Sequence, residues 1–277
     1  IAHYIKKIFV ASDNDAYNRL YEFLGQEYIH DKLQAKGYTH TQIIHRLSIP
    51  LSVDENMHTN PIRFIKDDSL IYEQPLVKST LDLASNMIIT KGLGYIDQEE
   101  QLIKAPFEFT FKNTFPIIDQ QKMLQSVLFK DPESGFNLTD DDYNFVLQYM
   151  SQLPNETLSP NYMTENYPDG YCKFLMFSNQ EKIPSNIRVF NKIGQAYGFM
   201  IDNAYIVDFD SQVEFMLSAV ISVNENQIYN DGVYEYETIG NDFMQDLGNL
   251  IYDYEKGRQR SLKPDLSGFN VSYDNTL

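Results

Sequence analysis

Over the first 37 residues, apolar positions recur three and four apart and polar turns break the runs. Tyr4, Ile5, Ile8 and Phe9 predict the end of an apolar helix, which Ser12 interrupts. A second helix starts near Asp15, with Tyr17, Leu20, Tyr21 and Leu24 at helical spacing and Gly25 as its stop. A third carries Tyr28, Ile29 and Leu33 on its inner face and ends at Gly37. Between 48 and 118 the pattern changes. Pro50, Pro61, Pro75, Pro106 and Pro116 punctuate short stretches such as FEFTF (107–111), which predicts a loop and then small strands or hairpins.

Helical spacing returns at 119–130 through Met123, Leu124, Val127 and Leu128. It returns again behind a Thr139 N-cap whose acidic first turn, Asp140 to Asp142, suits the helix dipole. Tyr143, Val146, Leu147 and Met150 form that helix's buried stripe. From Ile187 the period is that of strands: NIRVFNKIG, YGFMIDNAYIVDF, a turn at Asp210 to Gln212, then VEFMLSAVISV. Three adjacent antiparallel strands follow. A long amphipathic helix comes next, with Ile239, Phe243, Leu247, Leu250 or Ile251, and Tyr254 on one side, and 257–277 reads as a surface tail.

This order divides the chain into a helical part (1–47), a loop and strand-rich insertion (48–118), a second helical part (119–186), the strands with their closing helix (187–256) and the tail (257–277). The fold class is α+β, with a helical domain beside an antiparallel sheet whose remaining strands come from outside this chain. Charge narrows the function. With 22 lysines and arginines against 39 aspartates and glutamates, the net charge of −17 repels nucleic acid and anionic membranes. Cys172 is the single cysteine, so neither an intrachain disulfide nor a cysteine-rich metal site is available. The five histidines fit no metal-ligand spacing, and no stretch reaches the roughly 18–20 apolar residues that span a bilayer. No metal and no cofactor is expected.

Two short strings remain. Ser12-Asp13-Asn14 lies on a helix-to-helix connection, and Lys192-Ile193-Gly194 lies on a strand that two more strands and a helix follow. In that joint context the chain resembles the class A beta-lactamase-like serine hydrolases and their penicillin-binding relatives over 1–47 and about 119–256. The resemblance implies acyl transfer through an acyl-serine on a small-molecule or peptide amide or ester, outside the cytoplasm. It gives Ser12 proton transfer toward the leaving group, Asn14 a bond to a substrate carbonyl, and Lys192 a positive charge beside Ser12. It gives Gly194 close approach of the backbone to substrate, and the Gln195 N–H a place in the oxyanion hole.

The departures matter as much. No serine in the 277 residues has a lysine three positions on, so the nucleophile of a Ser-x-x-Lys motif is expected upstream of Ile1 and the chain alone is expected to be inactive. Ile193 replaces the hydroxyl residue that would bond a substrate carboxylate. The string from His45 to Pro61 resembles the family's omega loop, yet Leu51 stands where its deacylating glutamate is expected and Glu55 is the nearest acid. Without a placed base, an acyl-enzyme hydrolyses slowly, so efficient beta-lactamase activity is not expected. Ser12 and Lys192 are 180 residues apart, a long interval whose surplus falls in the insertion at about 62–118. The rival reading is a binding or scaffold protein that kept the fold and lost the chemistry.

Overall fold

A computed structural model describes residues 1–82, 88–130, 136–162, 167–178 and 180–274. The first helices, α1 (Ala2–Ala11), α2 (Asn14–Leu24) and α3 (Gln26–Ala35), follow the apolar spacing. Gly25, at φ 74°, ends α2 and returns its N–H to the Tyr21 carbonyl. The inner face of α3 differs from the expected one. Gln26 and His30 are buried, whereas Tyr28 is 52% exposed. Gln26 Nε2 donates to the Ile44 carbonyl at 2.8 Å, and this amide N–H bond holds a polar side chain inside where hydrophobicity alone would have placed a tyrosine.

The middle region holds a short helix, α4 (Val53–Met57), and six short strands. These are β1 (Ile62–Lys66), β2 (Ser69–Gln74), β3 (Thr90–Lys91), β4 (Gly94–Ile96), β5 (Leu102–Ile103) and β6 (Phe107–Glu108). The strand expected over 107–111 shrinks to its first two residues because the chain turns, with Lys112 N–H donating to the Phe109 carbonyl. Helices α5 (Ile117–Leu128) and α6 (Asp140–Ser151) follow. The Thr139 and Asp142 side chains each take the other's backbone N–H in a capping box at the start of α6.

Beyond a four-residue turn, α7 (Phe174–Phe177), lie three ten-residue strands: β7 (Ile187–Ala196), β8 (Phe199–Asp208) and β9 (Val213–Ser222). They pair antiparallel in the order β7-β8-β9. Tyr197 (φ 55°) and Gly198 (φ 76°) join the first two in a two-residue turn, both left-handed as the twist of a tight hairpin requires. Strand alternation divides the sheet's side chains. Val189, Met200, Ala204, Ile206 and Phe215 pack with Leu175 and Met244 on one face. Phe190, Tyr205 and Val207 pack with Leu124, Leu147 and Met150 of α5 and α6 on the other.

The short strand β10 (Ile228–Tyr229) pairs in parallel with β4, so the middle insertion is fastened to the loop after β9. Helix α8 (Asn241–Gly257) then covers the first face, on a line that keeps Leu247 and Ile251 of the expected one and is shifted elsewhere. Met244 and Gly248 are buried, with Leu247 and Ile251 half-buried, whereas Phe243, Leu250 and Tyr254 are exposed. Gly248 is the reason. A Cβ there would lie 2.4 Å from the Met176 nitrogen, so the helix approaches on the side where it has no side chain. The stretch after α8 is not a surface tail: Leu266 and Phe269 are buried in the core between α5, α6 and the sheet. Among the described residues no helix is long and apolar enough to cross a membrane.

Candidate active site

Ser12 caps α1 in the left-handed conformation, φ 52° and ψ 42°, with its N–H returned to the Lys7 carbonyl. A left-handed serine costs about 1–3 kcal/mol relative to an ordinary backbone. The turn is held from both sides. Asp13 Oδ1 accepts the Ala16 N–H at 2.7 Å as the N-cap of α2, and Asp13 Oδ2 pairs with Lys7 Nζ at 2.6 Å. Burial alone would raise the Asp13 pKa, but the Lys7 and Ala16 bonds outweigh it and lower it, which keeps this carboxylate ionised.

Lys192 projects from the face of β7 that carries Phe190, and its Nζ donates to Ser12 Oγ at 2.8 Å and to the Ile193 carbonyl at 2.8 Å. The structure thus joins the two motifs across 180 residues. Burial pushes the Lys192 ammonium below its ordinary pKa, while Cys172 and Asp202 work the other way. Asn14 is exposed and donates from Nδ2 to Ser48 Oγ at 2.8 Å.

Gly194 faces Ile201 in register, and a Cβ at 194 would come within 2.8 Å of the Ile201 Cγ2. The pair Ala196–Phe199 closes the hairpin, so the ladder's alternation makes Gln195–Met200 a pair whose amides point outward. The Gln195 N–H therefore faces away from β8, along the same edge on which the Ile193 carbonyl meets Lys192. The Ile193 side chain packs against the core shared with α8, which gives this position an apolar role on the far side of the sheet.

The loop opposite, 44–58, is held by a polar face of α2 that periodicity of apolar residues did not reveal. Asn14, Asn18, Tyr21 and Glu22 fall at helical spacing and meet the loop one after another. Asn18 bonds both the N–H and the carbonyl of Leu47, at 2.7 and 2.9 Å, and the Tyr21 hydroxyl donates to the Ile44 carbonyl at 2.9 Å. Glu22 Oε1 accepts Arg46 Nε at 2.9 Å, with both side chains under 10% exposed. Arg46 also reaches the Glu55 and His58 carbonyls, and Asn113 bonds the Ile44 and His45 amides. The recurrence of Asn and Glu four apart on α2 is the signal that could have found this face.

Leu51 lines the cavity between this loop and the sheet. Glu55 does not point into it as a base: its carboxylate accepts the Ser52 N–H and hydroxyl in the capping box of α4, which lowers its pKa. Beneath β7 lies a second group outside the expected set. Lys173 Nζ, fully buried, donates to the Met150 carbonyl at 2.6 Å and to Asn191 Oδ1 at 2.7 Å, and Asn191 Nδ2 donates to Asp202 Oδ1 at 2.8 Å. Burial lowers the Lys173 pKa and raises that of Asp202. This chain ties the end of α6 to the strand that carries Lys192.

Ser12, Asn14, Lys192, Gly194 and Gln195 all border one cavity of about 1450 Å³. Its inner wall is apolar, with Phe9, Met123, Leu124, Val127, Val146 and Met150. Its outer wall comes from the insertion and the β7–β8 turn. Such an arrangement places a lysine-polarised hydroxyl and a free strand-edge amide around one volume, the donors that a developing oxyanion and a leaving group require. No curated protein and no solved structure matches the chain. Residues 1–255 match the model of the beta-lactamase enzyme family, a span that contains both the Ser12 turn and the Lys192 strand, and the chain belongs to that family.

Proposed function

We propose that the protein cleaves or transfers an amide or ester through an acyl-serine intermediate. The observation that carries this reading is the 2.8 Å bond between Lys192 Nζ and Ser12 Oγ at the mouth of the cavity. Ser12 passes a proton to the leaving group, and Lys192 keeps the Ser12 oxygen poised for that transfer. Asn14 and the outward Gln195 N–H orient the substrate carbonyl and its oxyanion, and Gly194 lets the substrate backbone lie close to β7. The nucleophile is the serine of a Ser-x-x-Lys motif, which residues 1–277 do not contain, and residues 1–277 alone are inactive. Acylation outpaces deacylation, because Glu55 is committed to the cap of α4 and gives no base at the loop. The substrate is met outside the cytoplasm.

The sequestered Glu55 also favours the second reading, a binding protein on the same fold. Labelling of the full-length protein with a fluorescent penicillin or a fluorophosphonate separates the two. A serine adduct located by mass spectrometry, persisting over hours, is the expected result. No adduct with either reagent sinks the hydrolase and leaves the binder.

A further inference from the structure

Three lysines and arginines among the described residues line the cavity: Arg46, Lys112 and Lys192. Two have their charge engaged by hydrogen-bond acceptors. Arg46 is paired with Glu22 and two carbonyls, and Lys192 donates to Ser12 and the Ile193 carbonyl. Lys112 is different. It is half-buried, its ammonium stands 5.3 Å from the ring centre of Phe107 and 5.2 Å from that of Tyr197, and no carboxylate among the described residues pairs with it. In a chain with net charge −17, a cation that is held over ring faces by cation–π contacts and has no acidic partner keeps its ammonium open to an anionic ligand.

The surroundings of Lys112 are aromatic. Phe107 stands 5.2 Å from Tyr95 and 5.6 Å from Tyr197, and Tyr95, Phe111 and Tyr234 continue the same wall of the cavity. Two acids also border the cavity here. Asp97 is engaged, its Oδ1 accepting the Glu99 and Gln101 amides within its own turn. Glu108, which follows Phe107 in β6, is exposed and forms no ion pair with Lys112. Flat apolar rings with one lysine suit a flat apolar ligand with one negative charge. A phosphate dianion would call for a second cation or a bidentate arginine, and among the described residues that line the cavity the other two, Arg46 and Lys192, are already bonded.

We propose that Lys112 and the rings of Tyr95, Phe107 and Tyr197 form a subsite for an aryl carboxylate, and that this subsite of the insertion receives the acid group of the substrate. The proposal deepens the hydrolase reading by naming its substrate class. It moves charge recognition from β7, where the Ile193 side chain is turned into the core, to the opposite wall of the cleft.

The test is calorimetric titration of the full-length protein with N-phenylacetylglycine, its neutral methyl ester and phenyl phosphate. The acid is expected to bind roughly tenfold or more tightly than the ester, the range a charge-assisted hydrogen bond supplies. Lys112→Met, which keeps an unbranched stem against the rings, should remove that preference and leave ester binding unchanged, and Lys112→Arg should restore most of it. A thermal melt of Lys112→Met that overlays the parent's excludes misfolding as the cause. Equal binding of acid and ester, a preference that survives Lys112→Met, or tighter binding of phenyl phosphate than of the acid overturns the subsite. Absence of a serine adduct alongside Lys112-dependent acid binding removes the hydrolase and keeps the subsite. An adduct alongside equal binding of acid and ester does the reverse.

Discussion

Replacement of Arg46 by methionine removes the anchor of the 44–58 loop, and the structure sets the cost. The Nε–Oε1 distance to Glu22 is 2.9 Å and the two side chains are 5% and 8% exposed, so neither charge can turn to water once its partner is gone. Breaking one side of such a pair costs about 3–5 kcal/mol. Arg46→Met also strands the His58 carbonyl, which accepts Nη2 at 2.7 Å, and this places the expected loss at the upper end of the range. Glu22→Gln is gentler. It keeps an amide oxygen facing Arg46 and leaves the carbonyl bonds intact, so the loss should be about 1.5–3 kcal/mol, the worth of a charged hydrogen bond. Urea unfolding followed by far-ultraviolet circular dichroism measures both on the full-length protein. For a chain of this size Arg46→Met should lower Tm by about 6–20 °C. The double variant should lose less than the two single losses combined, because the second change removes a charge already unpaired. An Arg46→Met variant within about 0.5 kcal/mol of the parent, the range of an ordinary surface change, would refute the anchoring role.

Lys192→Ala should slow serine labelling by about 10²–10⁴-fold, the usual contribution of a positioned proton-transfer group, with an unchanged circular dichroism spectrum; labelling at the parent rate removes Lys192 from the mechanism. Gly248→Ala forces a methyl group to within 2.4 Å of the Met176 backbone nitrogen and should cost about 1–3 kcal/mol in urea, whereas Leu250→Ala on the exposed side of α8 should stay within about 0.5. Asp208 titrates with stability in the acid range. Burial would raise its pKa, but bonds from the Tyr252 hydroxyl, the Ser211 N–H and the Asn186 amide outweigh that and bring it down to about 2. A carboxylate depressed on folding stabilises the native state at pH values above its unfolded pKa of 3.8, and this contribution is lost as the pH falls through 2. Asp208→Asn should therefore flatten the stability profile between pH 4 and about 2, and a variant profile parallel to the parent's contradicts the assignment.

The sheet was legible because its signal is short-range and redundant. Alternation over NIRVFNKIG and YGFMIDNAYIVDF fixes two strands, and Tyr197-Gly198 between them has the chemistry of a tight turn. The Ser12 turn and the Lys192 strand were legible for a different reason, since each residue type there is tied to a backbone position. What escaped was set by contacts between distant segments. No window around α8 reveals that Met176 approaches Gly248, so apolar spacing sets Phe243 and Tyr254 on one line with Leu247 and with Leu250 or Ile251, of which only Leu247 and Ile251 pack inward. Polar burial escaped as well. Gln26 and Asn18 are inside only because backbone groups of Ile44 and Leu47 arrive to bond them, and Glu22 because the Arg46 guanidinium does. The region after α8 reads as loop by composition, yet Leu266 and Phe269 find a gap in the core that only the folded arrangement of α5, α6 and β8 creates.

The left-handed backbone at Ser12 sets two demands in opposition at one atom group. Conformation alone favours glycine at φ 52°, where the absence of a Cβ removes the steric conflict. The hydroxyl that meets Lys192 requires a side chain. Ser12→Gly should therefore yield a chain at least as hard to unfold as the parent and with no oxygen for Lys192 to hold. Stability alone would favour glycine here, so what the serine adds to the fold is the oxygen that Lys192 meets.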